Sequence, residues 1–185
     1  MPPKFKFTRQ EIIDTATELV RENGMDALTA RNLAEKLGSS AKPIFTLFEN
    51  MKEVSNEVIK KANGIYNGYI KKGMENTDYP PYKASGMAYI QFASEEKQLF
   101  KLLFMRDRTG ETVTDSREEI RDILNIIMKN LEIDEDTAFN FHLEVWIYVH
   151  GIATMIATSY LKWDTEFISR SLTDVYKGLS DKFKR

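Results

Sequence analysis

Apolar residues recur along almost the whole chain at the three- and four-residue spacing of amphipathic helices, and no segment alternates convincingly at the two-residue period of a strand. The first helix is predicted to begin at Thr8, where Glu11 completes a capping box, and to end at Gly24 with a left-handed cap. Continued along the chain, this pattern predicts about nine helices and no sheet. The expected fold class is therefore all-α.

Two short helices follow the first. One is predicted from Thr29, which can cap the free amides of the first turn, to Gly38. The next is predicted to begin at Ser39 or Ser40, with Pro43 in its first turn, because a proline deeper in a helix would break the hydrogen-bond ladder.

Longer helices are predicted for the rest of the chain. Asn50 is expected to cap a helix that runs to about Gly73, and a linker containing Thr77 comes after it. Ser116 and Glu119 form a second capping box. The remaining helices are predicted over residues 84–93, 95–106, 116 to about 131, 135–161 and from 165 onward.

Three short helices within the first 50 residues, the second and third joined through Gly38, form the pattern of a helix-turn-helix. In that motif the third helix enters the major groove of DNA while the second lies across the backbone. Lys4 and Lys6 could form an arm along the DNA. We therefore expect a DNA-binding domain at 1–50 and a larger helical domain at 51–185, connected by the helix at 51–73.

Composition changes this picture little. Residues 1–74 carry 12 Lys and Arg against 9 Asp and Glu, and residues 75–185 carry 14 against 19, which fits a basic head on an acidic body as well as ordinary surface scatter. There is no cysteine, which excludes disulfides and thiolate sites and is compatible with the cytoplasm. The longest apolar stretch, 145–157, is shorter than the ~20 residues of a membrane span, and the first residues lack a signal peptide's apolar run.

An enzyme is the main alternative class. The chain contains no phosphate-binding loop, no dinucleotide fingerprint and no H-E-x-x-H metal motif. Ser180 lacks the second glycine of a nucleophile elbow, and His142, His150 and Glu144 make a poor metal set. We therefore expect no catalytic residue, no metal and no cofactor.

The segment FTRQEIIDTATELVRENGMDALTARNLAEKLGSSAKPIFTLFENMKEV resembles the DNA-binding domain of the tetracycline-repressor (TetR) family over its whole length. The spacing of Gly24, Thr29, Ala34, Gly38 and Phe48 matches the family without gaps. The resemblance implies an all-helical dimer that binds a palindromic operator in double-stranded DNA. It also implies that residues 51–185 form a ligand-binding and dimerisation domain.

The predicted DNA-binding residues combine this resemblance with positive charge near the same surface. They are Thr29, Arg31, Ser39, Ser40, Lys42, Pro43, Phe45, Thr46 and Lys52. The chain departs from the family at Phe45, where a tyrosine is usual, at Leu47, where a histidine is usual, and at Met51, where a lysine is usual. These departures remove familiar phosphate contacts and keep open the alternative of an interaction protein with weakened DNA binding.

Trp146, His150 and Gly151 resemble the Trp-His-Gly type of TetR-family regulatory domain. Trp146 and His150 lie one turn apart on one helix face, where they either contact a ligand or lock helix packing. A small lipophilic effector is expected to release a repressor from DNA. Its predicted site is lined by Tyr66, Tyr69, Tyr89, Phe92, Leu103, Phe104, Met128, Trp146 and His150.

The homodimer is predicted to form through the last two helices. Ile168, Leu172, Val175 and Leu179 form one apolar stripe on the final helix. Small residues on the preceding helix, at Gly151, Ala153, Ala157 and Thr158, would allow a close approach. Two such helices from each subunit can bury their apolar faces as a four-helix bundle.

Overall fold

The computed structural model describes residues 7–75, 78–109 and 117–183, and within them it contains nine α-helices, one short 3-10 helix and no strand. The predicted all-α fold is confirmed. The predicted arm at Lys4 and Lys6, the linker residue Thr77 and the capping residue Ser116 lie outside the described residues. In chain order the elements are α1 (Arg9–Asn23), the 3-10 helix (Met25–Ala27), α2 (Ala30–Lys36), α3 (Lys42–Leu47), α4 (Met51–Glu75), α5 (Pro81–Glu95), α6 (Lys97–Phe104), α7 (Arg121–Leu131), α8 (Glu135–Ala157) and α9 (Thr165–Phe183).

Side-chain caps set five of the predicted helix starts, and one of them is Asp164, which accepts from the amide of Phe167 at 2.6 Å before α9. The Thr8 hydroxyl accepts from the amide of Glu11 at 3.1 Å, and the Glu11 carboxylate accepts from the amide of Thr8 at 2.7 Å, so the capping box is confirmed. The other three caps are Thr29, Asn50 and Asp134, each accepting an amide three residues ahead at 2.8–3.1 Å. Each cap satisfies a backbone donor that the first turn leaves without a helical partner.

The third helix starts later than predicted. Its N-cap is Ala41, and neither Ser39 nor Ser40 caps it. Pro43 does lie in the first turn, as predicted, because the ring that removes the amide hydrogen is tolerated there. Gly38 has a φ of 61°, the left-handed conformation that favours glycine, and the amides of Gly38 and Ser39 donate back to Glu35 and Ala34 at the end of α2.

Two helix ends also differ from prediction. Gly24 has the positive φ of 82° that glycine permits, but its ψ of 172° is extended rather than that of a left-handed helical cap. The helix predicted to reach Leu161 ends at Ala157, and Ser159 takes a left-handed φ of 57°. α7 begins at Arg121, because the four residues before it form a turn.

The described residues group into two compact units. The N-terminal unit contains the residues up to Asn67 together with Glu96–Arg106, so it extends past residue 50 and includes α6. Within it, α1 packs against α2, the 3-10 helix and α6. Its fully buried side chains are Ile12, Ala16, Val20, Leu33, Ile44, Val54, Val58, Ala62, Leu99 and Phe100.

The C-terminal unit contains Gly68–Glu95 and the residues from Asp107 onward. Its main interface joins α5 to α8, with α7 and α9 packed against both of these helices. The largest side chains in its core are Phe92, Phe141, Leu124 and Ile127, all within 1% of complete burial. In the part of the chain that the structure describes, no helix is long and apolar enough to cross a bilayer.

Candidate DNA interface and ligand cavity

The short helix α3 buries one face and exposes the other. Ile44 and Phe48 are at most 2% exposed and anchor the buried face in the core of the N-terminal unit. Lys42, Phe45 and Thr46 are exposed, and their spacing of three and four residues places them on one helix face. Phe45 is 48% exposed, so a large aromatic ring lies at the surface between two polar side chains.

The other predicted DNA-binding residues also belong to the N-terminal unit. Thr29, Arg31, Ser40 and Lys52 are exposed, whereas Ser39 and Pro43 are half-buried. The Thr29 oxygen caps α2 by accepting from the Asn32 amide at 3.1 Å. None of the nine predicted residues is buried.

Arg9 fixes the end of α3 against α1 and α4, a role that the sequence did not reveal. Its guanidinium donates to the carbonyl of Leu47 at 2.9 Å and pairs with Glu53 at 2.8 Å and Glu57 at 3.0 Å. It also lies 4.2 Å from the centre of the Phe48 ring. The carboxylates of Glu57 and Glu53 raise the pKa of Arg9. These partners are 38 to 48 residues away, so no local pattern indicates them.

Helix α6 is tied to α1 within the same unit. The Arg21 guanidinium pairs with Glu96 at 2.8 Å and with Glu18 at 2.8 Å. A side chain on Gly24 would meet the amide of Gln98 at 3.2 Å, so the turn after α1 lies close to the start of α6. Sequence reasoning assigned this segment to the body of the protein and did not indicate its contact with the DNA-binding helices.

The nine predicted ligand-binding residues are divided between the two units. Tyr66, Leu103 and Phe104 belong to the N-terminal unit, where Tyr66 and Phe104 meet edge to face at 5.2 Å. In the C-terminal unit, Tyr69 and Phe92 meet edge to face at 5.4 Å. Met128, Tyr89, Trp146 and His150 also lie in the C-terminal unit.

Trp146 and His150 are brought together as the sequence predicts. Their rings stack with centroids 4.8 Å apart and planes 18° from parallel. His150 Nδ1 shares a hydrogen bond of 2.9 Å with the Tyr89 hydroxyl on α5. Burial lowers the pKa of His150. In the structure this pair therefore joins α8 to α5, while its contact with a ligand stays a prediction.

A second tyrosine–histidine pair lies farther along the same interface. The Tyr82 hydroxyl and His142 Nδ1 share a hydrogen bond of 3.1 Å. Burial lowers the pKa of His142 from 6.5 to about 4 and raises the pKa of Tyr82. The histidine is thus held neutral inside the packing of α5 and α8.

A cavity of about 310 Å³ lies within the C-terminal unit, between α5, α8 and α9. None of the nine predicted ligand-binding residues lines it. Little in the sequence indicates this site, because its residues are scattered over four helices and most are ordinary core types. It is lined by Pro80, Tyr82, Lys83, Gly86, Asn130, Val145, Val149, Leu172, Thr173 and Tyr176.

The outer faces of α8 and α9 form an exposed apolar groove. Ile147 is 65% exposed, and Gly178 has nothing within 4 Å of the position that a side chain would take. A salt bridge of 2.7 Å between Lys182 and Glu144 lies beside the groove. Its lining residues are Glu144, Ile147, Tyr148, Val175, Gly178 and Leu179.

The stripe predicted for the dimer is divided by this geometry. Ile168 and Leu172 are 5% and 6% exposed inside the C-terminal unit, and only Val175 and Leu179 reach the outer groove. On α8, the small residues Ala153 and Ala157 are likewise buried, whereas Gly151 has open space beside it. The four positions follow steps of four, three and four residues and so share one face of α9, but the two nearer its start are covered within the unit, whereas the two farther along line the outer groove.

Family profiles match both parts of the chain. The profile described as "Bacterial regulatory proteins, tetR family" matches residues 12–58. The profile described as "Tetracyclin repressor-like, C-terminal domain" matches residues 82–176, which include Trp146, His150 and Gly151. The two matches fall on the helix-turn-helix segment and on most of the C-terminal unit.

Individual relatives are similar at low identity. The tetracycline repressor protein class D of Escherichia coli and the class H protein of Photobacterium damsela subsp. piscicida are each 25% identical to this chain over 108 residues. That alignment covers 58% of this chain and 44% of each relative, so the chain matches less than half of their length. A TetR-family member from Streptomyces coelicolor A3 has a similar fold, with a TM-score of 0.62 at 16% identity over 90% of this chain and 96% of that one.

Proposed function

Because the chain belongs to the tetracycline-repressor (TetR) family of bacterial regulatory proteins, we propose that it is a dimeric transcription repressor that a small lipophilic effector releases from its operator. The observation that carries the proposal is the exposed face of α3, where Lys42, Phe45 and Thr46 stand together on a helix whose other face is anchored in the core. Such a regulator works beside the DNA, in the cytoplasm.

The exposed face of α3 has the chemistry of a major-groove reader. Lysine and threonine can donate hydrogen bonds to base edges or phosphates, and an aromatic side chain can contact the methyl group of thymine. Arg9 holds the end of α3 through the Leu47 carbonyl and the Phe48 ring, so the helix can present these side chains at a fixed angle. Arg31 and Lys52, both exposed, would supply contacts to the flanking phosphates.

Dimerisation follows from the limited reach of one such helix, which reads only a few base pairs. Two heads separated by about 34–36 Å reach successive major grooves on one side of a palindrome. We propose that the outer groove of α8 and α9 joins the two subunits, because Ile147, Val175 and Leu179 line an apolar surface there that a second subunit would bury. Pairing these helices across a two-fold axis would form a four-helix bundle.

Two helices offer routes from an effector to the DNA-binding helices. α4 is one continuous helix that begins next to the helix-turn-helix and ends in the C-terminal unit. α6 lies in the N-terminal unit with α1, and a salt bridge between Glu96, just before α6, and Arg21 of α1 joins them. The chain segments before and after α6 both belong to the C-terminal unit. An effector that prefers the DNA-incompetent arrangement by 100-fold supplies about 2.7 kcal/mol of coupling.

A second candidate function is a helical ligand-binding or interaction protein with weakened DNA binding. It is favoured by Phe45, which is exposed but has no hydroxyl for a phosphate, and by Leu47 and Met51, whose side chains cannot donate a hydrogen bond to a phosphate. The two candidates share the C-terminal unit and differ only in what the exposed face of α3 does.

Selection from random double-stranded DNA with the purified full chain separates the two functions. For a dimeric repressor we expect an enriched pair of inverted half-sites, their centres about one turn or a whole number of turns apart. A matching site upstream of a gene whose transcription rises when the protein is removed would support repression. Failure to enrich any half-site pair would favour the interaction protein.

A further inference from the structure

The cavity in the C-terminal unit combines apolar walls with one cationic side chain. Lys83 is the only charged residue among the ten that line it. Val145, Val149 and Leu172 supply aliphatic surface from α8 and α9, and a side chain on Gly86 would meet Leu172 at 3.5 Å and Val149 at 3.6 Å. At about 310 Å³ the cavity is at the lower end of the volumes typical of small-molecule sites.

Lys83 contacts one hydroxyl group and one aromatic ring. Its ammonium donates to the Thr173 hydroxyl at 2.9 Å and lies 4.8 Å from the centre of the Tyr79 ring. Among residues 7–75, 78–109 and 117–183, no carboxylate pairs with it. An ammonium has three hydrogens, so one hydrogen bond leaves donors for an incoming acceptor. The positive charge and the cavity are therefore available together.

We propose that this cavity binds a small lipophilic carboxylate, with its head group at Lys83 and Thr173 and its hydrocarbon against the aliphatic wall. A charge-assisted hydrogen bond to an ammonium is about twice as strong as a neutral one, so the charge selects an anion over an alcohol. The limited volume selects a short or compact hydrocarbon. The assignment replaces a general lipophilic effector with a chemical class, and only its consequence for DNA rests on the proposed function.

The position of the cavity connects such a ligand to the proposed dimer. Leu172, Thr173 and Tyr176 line the cavity from α9, while Val175 and Leu179 of the same helix line the outer groove. A ligand between α5 and α9 therefore contacts the inner face of a helix whose outer face would meet the second subunit. Occupancy can shift that helix, and with it the separation of the two heads.

Calorimetric titration of the full chain without DNA tests the ligand class. The probes are octanoate and decanoate, with octanol, octylamine and octyl sulfate as arms of matched chain length. We expect octanoate to bind more tightly than octanol or octylamine, with about a fourfold gain in affinity per added methylene until the cavity is full. Octyl sulfate binding as tightly as octanoate would overturn the carboxylate assignment in favour of lipophilic anions in general.

Variants identify the site. Lys83→Met should weaken octanoate about tenfold to a hundredfold and leave octanol unchanged, whereas Lys177→Met, at an exposed lysine of α9, should change neither. Gly86→Leu should fill the cavity and abolish binding of both. If that variant does not fold, Thr173→Val should still weaken octanoate selectively, because it removes the hydroxyl beside Lys83.

The outcomes that overturn the proposal are distinct. The proposal is wrong if no probe binds saturably, if octanoate and octanol bind with equal affinity, or if Lys83→Met binds octanoate as tightly as the wild type. It is also wrong if Trp146→Phe loses octanoate binding while Lys83→Met retains it. The last result would return the ligand to the predicted Trp146–His150 site. Octanoate that binds through Lys83 but leaves DNA affinity unchanged would contradict effector release while confirming the cavity assignment.

Discussion

Gly73 of α4 lies directly against Ala88 of α5, with no room for a side chain between them. A Cβ atom on Gly73 would stand closer to the Ala88 side chain than packed carbon atoms approach, and 3.3 Å from the carbonyl oxygen of Ala84. Gly64 and Gly68, on the same helix, have nothing within 4 Å of the corresponding position. Close packing of α4 on α5 therefore requires glycine at position 73 but not at position 64 or 68.

Replacing Gly73 with alanine should destabilise the protein by about 1–2 kcal/mol, because Ala88 or the α5 backbone must move to admit a methyl group. Gly64→Ala and Gly68→Ala should each stabilise it by up to about 1 kcal/mol, since alanine favours the helix and meets nothing. Urea unfolding of the three variants measures the difference. Equal effects at the three positions would contradict the close packing of α4 on α5.

His142 should make stability depend on pH. Burial lowers its pKa from 6.5 to about 4, so between these values the unfolded chain binds a proton that the folded chain does not. Above pH 6.5 the histidine is neutral in both states and does not lower the free energy of unfolding. As the pH falls from 6.5 towards 4, the free energy of unfolding decreases by on the order of 3 kcal/mol. His142→Gln should lose correspondingly less stability over this window. Parallel stability curves for the two proteins would show that His142 is not held neutral.

The sequence predicted the helices well where a local cap defines them. Thr8, Thr29, Asn50 and Asp134 each cap a helix within three residues of their own position, so the relevant partners are visible in a short window. The start of α3 was misplaced because two serines compete as caps. The turn at Gly38 and the position of Pro43 in the first turn decide where α3 begins. These backbone requirements cannot be inferred from the two serines themselves.

Tertiary partners were predicted less well. The contacts of Arg9 and the pairing of Arg21 with Glu96 join residues 38 to 75 positions apart, which no periodicity links. Aromatic residues at helical spacing suggested a ligand site, but the structure packs Tyr66 on Phe104 and Tyr69 on Phe92. The cavity instead lies where Lys83 is the one charged side chain in an otherwise uncharged lining. Because a single lysine on a helix usually indicates only a solvent-exposed position, the sequence did not predict this site.

The dimer should depend on the outer groove. Ile147→Asp places a charge in the centre of the proposed subunit contact and should produce a monomer with much weaker operator binding. Met105→Asp is the control, because Met105 is 41% exposed but lies in the N-terminal unit. Sedimentation of both variants measures the association. A dimeric Ile147→Asp protein would place the interface elsewhere.

Phe45 should contribute to sequence preference rather than to phosphate binding. Its exposed ring on α3 can contact a thymine methyl group, so Phe45→Ala should weaken binding to the selected operator by about tenfold or more and relax the preference at one base pair. Phe45→Tyr, which keeps the ring, should retain that preference. Repeating the selection with both variants gives the base preferences, and an unchanged sequence logo for Phe45→Ala would contradict this role.

Operator affinity measured against salt concentration, for the wild type and for Lys42→Gln, tests the central claim most directly. Fluorescence anisotropy should show the selected palindrome bound at least 10³-fold more tightly than a scrambled duplex of the same composition. Lys42→Gln should weaken binding, and loss of a phosphate contact by this exposed side chain should reduce the slope of log affinity against log salt by about one for each DNA-bound head. Equal affinity for the palindrome and the scrambled duplex, with no effect of Lys42→Gln, would contradict a sequence-specific repressor that reads DNA through α3.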